Sequence, residues 1–511
     1  MNDIQVLIVD YGSQYTLLIG RTLRELGVRS IILSPKKADA WLSKNTPKAV
    51  ILSGSNSSVH NQGAPTFPST LDTSGKKYFI LGICYGMQLL AHKLGGVVER
   101  PHLHREYGPA LATLDTKNPL FLGIVQKTEV WASHGDTVTT LPKDFTSIAV
   151  SGGISAMADK DSRVLGIQFH PEVVDTKEGK KILQNFLTLA DCVKDWDPVN
   201  LIHEIQKDVL AVVNKEKNKK NIILGFSGGV DSTTLARVLA SVLGERLVCV
   251  TIDTGGLRAN ELEEIKENAD HAGVKNLVVI KAEGEFIKKI GTTIDGEEKR
   301  AKFREVYKRI FEEQIKKHDA GFIAQGTLAT DIIESGKVGE SAMIKTHHNV
   351  GLAWEVDDLH PFRNLFKYEI RELARVMKLP KVVHERNPFP GPGLFLRVVG
   401  TPVSVDRIEL VREADRTVND IIKKYDIAKH ISQLIVALLG VNSVGVKGDE
   451  RVYGHSLAIR AVQTSDFMTV KGYYFSEEVI NEITNALTKH KDIVRVFFDM
   501  TPKPPATTEF E

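Results

Sequence analysis

The chain has 511 residues, and at roughly 150 residues per domain this length predicts about three domains. Its 66 Lys and Arg residues nearly balance 64 Asp and Glu residues, so the net charge of +2 gives no whole-chain attraction to nucleic acid or to a membrane surface. The cysteines, Cys84, Cys192 and Cys249, are too few and too scattered for a disulfide framework or a four-cysteine zinc site.

The first residues carry no basic segment before an apolar run, which favours a strand over a signal peptide. No run of about 18 apolar residues occurs, so we expect no transmembrane helix. With 42% hydrophobic and 25% charged residues, the composition is typical of a globular protein with several cores. These features predict a cytoplasmic, multi-domain enzyme with no nucleic-acid or membrane partner.

Short apolar runs alternate with helical patterns in the first part of the chain. A helix is predicted at 14–26, and strands are predicted at 5–9, 30–33, 49–52, 78–83 and 164–169. Such alternation is typical of a doubly wound, mostly parallel sheet, in which functional loops follow the strands.

A domain boundary is predicted near 191–220, where Asp197 and Pro198 start a helix and the polar turn KEKNKK follows. We interpret this turn as a solvated linker rather than a nucleic-acid patch. Beyond it the sequence predicts a second doubly wound α/β unit, with strands at 222–226 and 247–252 and a helix at about 297–317. Five apolar residues of that helix share one face and are expected to be core rather than a stacking platform: Phe303, Val306, Tyr307, Ile310 and Phe311.

The last segment begins at a Pro- and Gly-rich stretch, 386–394. Amphipathic helices near 405–424 and 476–489 and a strand at 493–498 predict a small α+β domain. The expected domains are therefore 1–195, 196–385 and 386–511.

One cysteine stands where a predicted strand meets a predicted helix. The strand YFILGI leads into Gly82, Cys84 and Gly86, and the helical pattern MQLLAHKL follows. Glycines two residues on either side are typical of a nucleophile elbow, a sharp turn that lifts a side chain above a sheet. The positive end of the helix dipole favours the thiolate needed for attack. We therefore favour a nucleophile over the alternative, a small buried residue at a tight turn.

A base for this nucleophile lies at the end of another predicted strand, VLGIQFH. His170 ends that strand, and Glu172 follows two residues later. Because residues two apart on an extended segment face the same side, Glu172 can hold one imidazole nitrogen while the other faces Cys84. A His-x-Glu pair is weak evidence alone, but with the elbow it predicts a catalytic triad.

The segments GICYGMQ and QFHPE resemble those of the class I glutamine amidotransferases, which have a flavodoxin-like α/β fold. The resemblance implies that Cys84 forms a γ-glutamyl thioester, that His170 is general base and acid, and that Glu172 orients His170. It further implies that Gln88 helps to hold substrate glutamine and that the backbone of Tyr85 supplies one oxyanion donor.

The second oxyanion donor of that family comes from a glycine-rich LSGGPxS stretch, which is LSGSNSS at 52–58 in this chain. Gly54 keeps its place, whereas Ser55 and Asn56 replace the second glycine and the proline. A serine in a conformation with positive φ would be strained, so this change is expected to affect the oxyanion hole.

The motif SGGVDS at 227–232 lies between a predicted strand and a predicted helix. Its paired glycines let backbone N–H groups converge on a phosphate, and the helix dipole adds positive charge. The GK[ST] of a Walker A loop is missing, which disfavours γ-phosphoryl transfer. The alternative, a serine-rich helix cap, would explain SGG alone but not the whole hexapeptide between a strand and a helix.

SGGVDS resembles the loop of the ATP pyrophosphatases, which have an adenine-nucleotide-hydrolase-like α/β fold and transfer AMP to a carbonyl oxygen. Asp231 is then the candidate ligand for Mg²⁺ on pyrophosphate. Ammonia can displace AMP from an adenylated carbonyl, which connects the two motifs. The implied ATP-binding residues are Ser227, Gly228, Gly229, Val230, Asp231, Ser232, Thr233 and Asp253.

Over nearly the whole chain the order of motifs resembles the glutamine-hydrolysing GMP synthases, carbon–nitrogen ligases that use glutamine as nitrogen donor. The resemblance implies amination of XMP to GMP through adenylyl-XMP, with ATP and Mg²⁺ and without an organic prosthetic group. It also implies a homodimer formed through the C-terminal domain. The resemblance rests on segments that include DYGSQYT at 10–16, SHGDTV at 133–138, IKTHHNVG at 344–351 and PFPGPGL at 388–394. The implied adenylation and XMP contacts are Arg300, Lys345, Arg386, Lys503 and Glu509.

Several positions depart from that family pattern. They are Leu352, Ala353 and Trp354 in a shortened connection, Asn387, Arg304, Tyr368, Thr508 and Phe510. Because they lie near the predicted lid and nucleotide elements, an amidotransferase for another purine-like carbonyl stays open as an alternative. A further alternative, a nucleotide-sensing protein without catalysis, is disfavoured because both catalytic sets are complete at the side-chain level. His347 and His348 are interpreted as hydrogen-bonding lid residues rather than metal ligands.

Overall fold

The computed structural model describes residues 4–100, 106–215, 220–328, 354–384, 389–464, 470–503 and 505–511. These residues form two compact units. The first contains the described parts of Met1–Glu204, Thr327–Met343 and Phe362–Glu369, and the second contains those of Ile205–Gly326, Ile344–Pro361 and Ile370–Glu511. In the described part of the chain, no helix is both long and apolar enough to cross a membrane. The domain boundaries expected after residues 195 and 385 stay predictions.

The first unit contains a doubly wound parallel sheet, as the sequence predicts, with strand order β2-β1-β3-β4-β11. Successive residues of β1 belong to different cores, Val6 and Ile8 on one face and Leu7 and Val9 on the other. This burial on both faces explains the continuous apolar runs of the sequence. The strands are β1 (Val6–Val9), β2 (Ser30–Leu33), β3 (Ala49–Leu52), β4 (Phe79–Ile83) and β11 (Val164–Ile167), and the helices are α1 (Thr16–Glu25), α2 (Pro35–Leu42), α3 (Tyr85–Lys93) and α4 (Gly179–Leu189).

An antiparallel extension continues this sheet beyond β11, in the order β10-β9-β6-β7, and β8 pairs with β10 and β5. In β7, buried positions alternate with more exposed ones, as in antiparallel strands with one face in water. The sequence prediction missed the extension because alternation leaves no continuous apolar run. The strands are β5 (Val97–Glu99), β6 (Glu106–Leu114), β7 (Lys127–His134), β8 (Thr137–Thr140), β9 (Phe145–Val150) and β10 (Ile154–Asp159).

The second unit contains a wholly parallel sheet with strand order β14-β13-β12-β15-β16. The aromatic face of its longest helix packs into the core, as predicted: Phe303, Val306, Ile310 and Phe311 are buried and Tyr307 packs against them. The strands are β12 (Asn221–Gly225), β13 (Leu247–Asp253), β14 (Asn276–Lys281), β15 (Ala320–Ala324) and β16 (Asp357–Leu359). The helices are α6 (Val230–Leu243), α7 (Glu261–Ala272), α8 (Glu283–Ile290), α9 (Gly296–Lys317) and α11 (Lys381–His384), and the chain passes between the units within α5 (Pro198–Val213) and α10 (Lys367–Val376).

A second five-stranded sheet in this unit has the order β17-β18-β19-β20, and β21 pairs with β19. The long hairpin of β18 and β19 and two amphipathic helices give the α+β content that the sequence predicts. The elements are β17 (Val398–Val399), α12 (Val405–Lys424), β18 (Gln433–Lys447), β19 (Glu450–Gln463), β20 (Lys471–Gly472), α13 (Glu477–Thr488) and β21 (Ile493–Phe498).

Candidate active site

Cys84 lies at a sharp turn between strand β4 and helix α3. Its φ of 53° and ψ of −107° are unusual for a residue with a side chain, so the strain is at Cys84 itself. The flanking glycines are required by close packing. A Cβ on Gly86 would lie 2.3 Å from the carbonyl oxygen of Leu52, and one on Gly82 would lie 2.5 Å from the carbonyl carbon of Gly86. The turn therefore has the geometry of the predicted nucleophile elbow.

His170 and Glu172 form a buried pair beside this turn. His170 Nδ1 lies 2.8 Å from Glu172 Oε1, and both side chains are almost completely buried. Burial lowers the pKa of His170, but the Glu172 carboxylate and the hydrogen bond and charge of Cys84 raise it, so the pKa of His170 lies well above its usual value. The ring of Tyr15 packs edge-on against the imidazole. The structure thus brings together the three residues of the predicted triad.

A cavity of about 310 Å³ opens beside Cys84 Sγ. Gly54 directly precedes the lining residue Ser55, and an added Cβ on Gly54 would come within 3.2 Å of His170 Cε1, so a side chain there would press on the imidazole. Ser55 is not among the residues with positive φ, and the strain expected from a serine at this position does not arise. The lining is mostly polar and consists of Ser55, Asn56, Ser57, Ser58, Cys84, Gln88, Arg100, Tyr107, Ser133, His134, Gly135 and Asp136.

The predicted glutamine-binding residue Gln88 lines this cavity from helix α3. Its side-chain Nε2 donates to the carbonyl oxygen of Asp136 at 2.7 Å and to Gln168 Oε1 at 3.3 Å. Both amide hydrogens are therefore used within the protein, and its Oε1 is the atom that can accept a hydrogen bond from a substrate. The backbone of Tyr85 begins helix α3 directly after Cys84, in the place expected of an oxyanion donor.

Polar groups of the β7–β8 turn, which received no role from the sequence, complete this cavity. The buried Asp136 carboxylate accepts from Arg100 Nε at 3.0 Å. Burial lowers the pKa of His134, while Glu106, 3.3 Å away, partly offsets this. The segment SHGDTV carries Ser133, His134 and Asp136, so the motif was visible but not its position beside Cys84.

The SGGVDS segment of the second unit forms a loop between β12 and α6. Gly228 has a φ of +67°, and Gly229 precedes the first turn of α6. Ser227 Oγ and Ser232 Oγ lie 3.1 Å apart across the loop, and Asn268 Nδ2 donates to the carbonyl oxygen of Gly228 at 3.0 Å. The first-turn N–H groups of α6 and its dipole are thus positioned to bind an anion.

The remaining predicted ATP residues lie around this loop. Val230 and Asp231 are in the first turn of α6. Thr233, also in α6, is completely buried. Asp253 ends the neighbouring strand β13, where its Oδ1 accepts from the N–H of Gly255 at 3.2 Å. Because β12 and β13 are parallel, both segments lie at the carboxyl edge of the sheet, the usual ligand-binding edge of such folds.

Two of the five predicted adenylation and XMP contacts, Lys345 and Arg386, lie outside the described residues. Arg300 on α9 donates to the backbone oxygen of Glu511, close to Glu509 in sequence. Lys503 pairs through its backbone with Val470. His347, His348, Leu352, Ala353 and Asn387 also lie outside the described residues.

The carboxylate of Glu509 is held by residues that the sequence did not single out. Gln433 Nε2 donates to Glu509 Oε1 at 2.5 Å, and Arg397 lies 3.5 Å from the same oxygen. The fully buried Lys299 binds Glu511 Oε2 at 2.6 Å. Arg300 therefore contacts the same C-terminal segment, 509–511, that contains Glu509. Polar side chains hold this segment in place.

Family models match three successive parts of the chain. Glutamine amidotransferase class-I matches residues 7–190, the Arginosuccinate synthase N-terminal HUP domain matches 221–308, and the GMP synthase C terminal domain matches 420–510. The first two contain the Cys84 elbow and the SGGVDS loop, respectively. The matches thus follow the order of the sites described above.

Full-length relatives carry one common name, GMP synthase [glutamine-hydrolyzing]. A protein of Thermus thermophilus is 42% identical over 515 residues, which cover 99% of this chain and 100% of the relative. The Treponema denticola protein is 40% identical over 516 residues (99% and 97%), and the Thermotoga maritima protein is 40% identical over 513 residues (99% and 100%). The chain belongs to the glutamine-hydrolysing GMP synthase family.

Proposed function

We propose that the chain converts XMP, ATP, glutamine and water into GMP, AMP, pyrophosphate and glutamate. The observation that carries this proposal is the presence, in one chain of this family, of a Cys84–His170–Glu172 triad and an SGGVDS anion-binding loop. The first releases ammonia from glutamine, and the second activates a carbonyl of the purine for its attack.

Glutamine hydrolysis follows from the arrangement around Cys84. The Sγ proton passes to His170, whose raised pKa suits it to accept a proton, and the thiolate attacks the side-chain carbonyl carbon of glutamine. The N–H of Tyr85, at the positive end of α3, stabilises the oxyanion together with the Gly54 segment. His170 then returns the proton to the leaving ammonia, and water releases glutamate from the thioester.

Carbonyl activation takes place at the loop of the second unit. The N–H groups of the first turn of α6 hold the β- and γ-phosphates of ATP, and the XMP carbonyl oxygen attacks the α-phosphorus. Pyrophosphate leaves, adenylyl-XMP forms, and ammonia displaces AMP to give GMP. Arg300, Lys345, Arg386 and Lys503 supply positive charge for the XMP phosphate or the adenylation step, and Glu509 accepts from the base or the ribose.

We assign Mg²⁺ to Asp231, and the donor chemistry fits. Mg²⁺ is commonly held by one or two carboxylates together with substrate phosphates and water. Among the residues that the structure describes, no group of three or more His, Cys, Asp or Glu side chains could hold a metal ion, so ATP phosphates would complete the set. When bound, Mg²⁺ neutralises charge on the pyrophosphate.

Homodimerisation through the C-terminal domain and a cytoplasmic location complete the proposal. Toward its turn, the β18–β19 hairpin exposes four large hydrophobic side chains: Val441, Val444, Val446 and Tyr453. Exposed apolar surface of this kind is suited to contact with a second copy of the chain. The cytoplasm is where ATP and purine monophosphates are available. Sedimentation of the wild type and of Val446→Lys tests the dimer: loss of the dimer only in the variant supports this surface, and a monomeric wild type contradicts it.

An XMP turnover assay tests the acceptor. The full chain is incubated with ATP, Mg²⁺ and ammonium, and AMP formation is measured with XMP, IMP or UMP as acceptor. We expect AMP and GMP in equal amounts with XMP only. AMP formation with another carbonyl nucleotide and none with XMP would contradict the proposed acceptor, and no AMP with any of them would contradict the ligase activity.

A further inference from the structure

Two buried glutamines connect the β7–β8 turn to the nucleophile. Gln168 follows strand β11 and is 1% exposed, and Gln88 on helix α3 is 3% exposed. Gln168 Nε2 lies 3.7 Å from Cys84 Sγ, in the direction of a hydrogen bond to sulfur. Gln168 Oε1 accepts from Gln88 Nε2, which also donates to the carbonyl oxygen of Asp136. The two side chains form one continuous series of hydrogen bonds that ends at Sγ.

This series fixes which end of the Gln168 amide faces sulfur. A carbonyl oxygen only accepts, so the carbonyl of Asp136 requires the NH₂ end of Gln88. The second hydrogen of that NH₂ group then requires the oxygen of Gln168. The NH₂ end of Gln168 is consequently left for Cys84 Sγ, and it can only donate. The backbone N–H of Gln168 donates to Ser155 O at 2.8 Å, which holds the main chain in place.

A further polar contact of Sγ, besides those with Gln168 and His170, has the opposite effect on a thiolate. The Cys84 thiol donates to the carbonyl oxygen of Ser133 at 3.7 Å. When the thiol loses its proton to His170, this oxygen faces an anion without a hydrogen between them, which is unfavourable in a buried site. A fixed, uncharged N–H donor to the sulfur offsets that cost.

We propose that Gln168 is a further catalytic residue of glutamine hydrolysis, whose side-chain N–H donates to the Cys84 thiolate and stabilises it. This role deepens the proposed amidotransferase activity and rests on Cys84 being its nucleophile. Unlike His170, Gln168 keeps its donor at every stage, including when His170 gives its proton to ammonia. The leaving thiolate that forms when the thioester is hydrolysed meets the same donor.

Titratable groups near Cys84 come from several elements, and the test has to separate them from Gln168. They are His170 with Glu172 after β11, His134 with Glu106 on β7 and β6, and Asp136 with Arg100 beside the β7–β8 turn. None is altered by substitution of Gln168. A change in thiolate reactivity in such variants therefore reports on the amide.

The experiment measures alkylation of Cys84 by iodoacetamide in the full chain, read by mass spectrometry of the Cys84 peptide, at neutral and at strongly alkaline pH. For Gln168→Leu we expect a rate about tenfold lower at neutral pH, because a hydrogen bond to a charged group is lost. At strongly alkaline pH the leucine variant should react at least as fast as the wild type, because a thiolate without the hydrogen bond is the better nucleophile. The isostere Gln168→Glu replaces the donor by a carboxylate and should slow the neutral reaction further.

The matched control is Gln5→Leu. Gln5 is also a buried glutamine of the first unit, but it binds the backbone of Val193 at 2.8 and 2.9 Å. Ammonium-dependent AMP formation should be unchanged in Gln5→Leu. Alkylation of Gln168→Leu at the wild-type rate, or slowed equally at both pH values, would overturn the proposal. If Gln168→Leu does not fold, the same comparison of alkylation rates at the two pH values is made with Gln168→Glu.

The outcome is distinguishable from a failure of the proposed function. If the wild type hydrolyses no glutamine, and if glutamine does not protect Cys84 from alkylation, the amidotransferase assignment fails. The comparison of alkylation rates at two pH values still reports whether Gln168 stabilises the thiolate.

Discussion

The two functional loops solve a similar geometric problem in different ways. Each follows a parallel strand and precedes a helix, β4 and α3 for Cys84 and β12 and α6 for the SGGVDS loop. Each contains a residue with positive φ, Cys84 at 53° and Gly228 at +67°. At the first loop the strained residue is the proposed nucleophile, whose side chain would carry the chemistry. At the second the positive φ falls on a glycine, because the proposed binding groups are backbone N–H groups.

The two loops also differ in solvent exposure and in polar partners. Cys84 is 5% exposed and has polar partners in Ser133, Gln168 and His170, whereas Ser227 of the SGGVDS loop is exposed. A thiolate gains from a buried site with oriented donors, while a large polyanion needs an open approach and several N–H groups. Strain and burial are thus concentrated at the proposed nucleophile. Adaptable glycine backbone is found at the proposed ATP-binding loop.

Cys84→Ala should have the largest effect and should separate the two sites. Glutamine-dependent GMP formation is expected to fall by at least about 10⁴-fold, because the nucleophile is absent. Synthesis from added ammonium should stay near the wild-type rate, since the second loop is unchanged. Cys192→Ala, at a half-buried cysteine of the same unit, is the control and should retain both activities. Loss of both activities in a folded Cys84→Ala protein would contradict the division of labour.

Asp231→Ala should remove AMP formation with either nitrogen source, by about 10³-fold, because the proposed Mg²⁺ ligand on the leaving pyrophosphate is lost. Alkylation of Cys84 should be unaffected, which confines the effect to the second loop. Asp270→Ala, at an exposed acid near the end of α7, is the control for removal of a negative charge. AMP formation that persists in Asp231→Ala would contradict the assignment of the SGGVDS loop as the ATP site.

Glu172→Gln should lower glutamine hydrolysis by about 10²-fold and change its pH profile. The carboxylate raises the pKa of His170, so its removal should lower that pKa. His170 then loses the proton that it must give to ammonia at a lower pH, and the alkaline limb of the profile moves to lower pH. Glu129→Gln, at an exposed glutamate paired with Lys177, is the control and should keep the wild-type profile. An unchanged alkaline limb in Glu172→Gln would show that the pair does not set the proton affinity of His170.

Much of both loops could be predicted because their signals are local. The strand, the glycines and the helix around Cys84 are consecutive in sequence, and so are the six residues of SGGVDS. The five parallel strands of the first unit and two of those in the second, β12 and β13, were also predicted, since burial on both faces leaves continuous apolar runs. The strands β14, β15 and β16 were not predicted. Such features depend on a few neighbouring residues and on backbone geometry that short segments specify.

The missing parts depend on contacts between distant residues. Cys84 and Ser133 are 49 positions apart, Gln88 and Gln168 are 80 apart, and Lys299 and Glu511 are 212 apart. The register of the antiparallel extension brings the β7–β8 turn to the cavity, and its alternating strands contain no functional motif. Gln168 stood inside the visible QFHPE segment, but only its hydrogen-bond partners show which way its amide points.

Gly228→Ala and Gly229→Ala should have the smallest effect of these variants. They test whether positive φ is the reason for glycine in the SGGVDS loop. An alanine at 228 must adopt a positive φ, at a cost of about 1–2 kcal/mol, and its Cβ would lie 2.8 Å from Ile265 Cγ1. We expect the KM for ATP in AMP formation to rise about tenfold, because the loop N–H groups are displaced. Gly229 has a φ of −72°, and an added Cβ would meet only Ser227 Oγ at 3.4 Å, so its alanine variant should show a smaller rise. An equal or larger loss in Gly229→Ala would mean that close approach of phosphate, rather than backbone conformation, requires glycine in this loop.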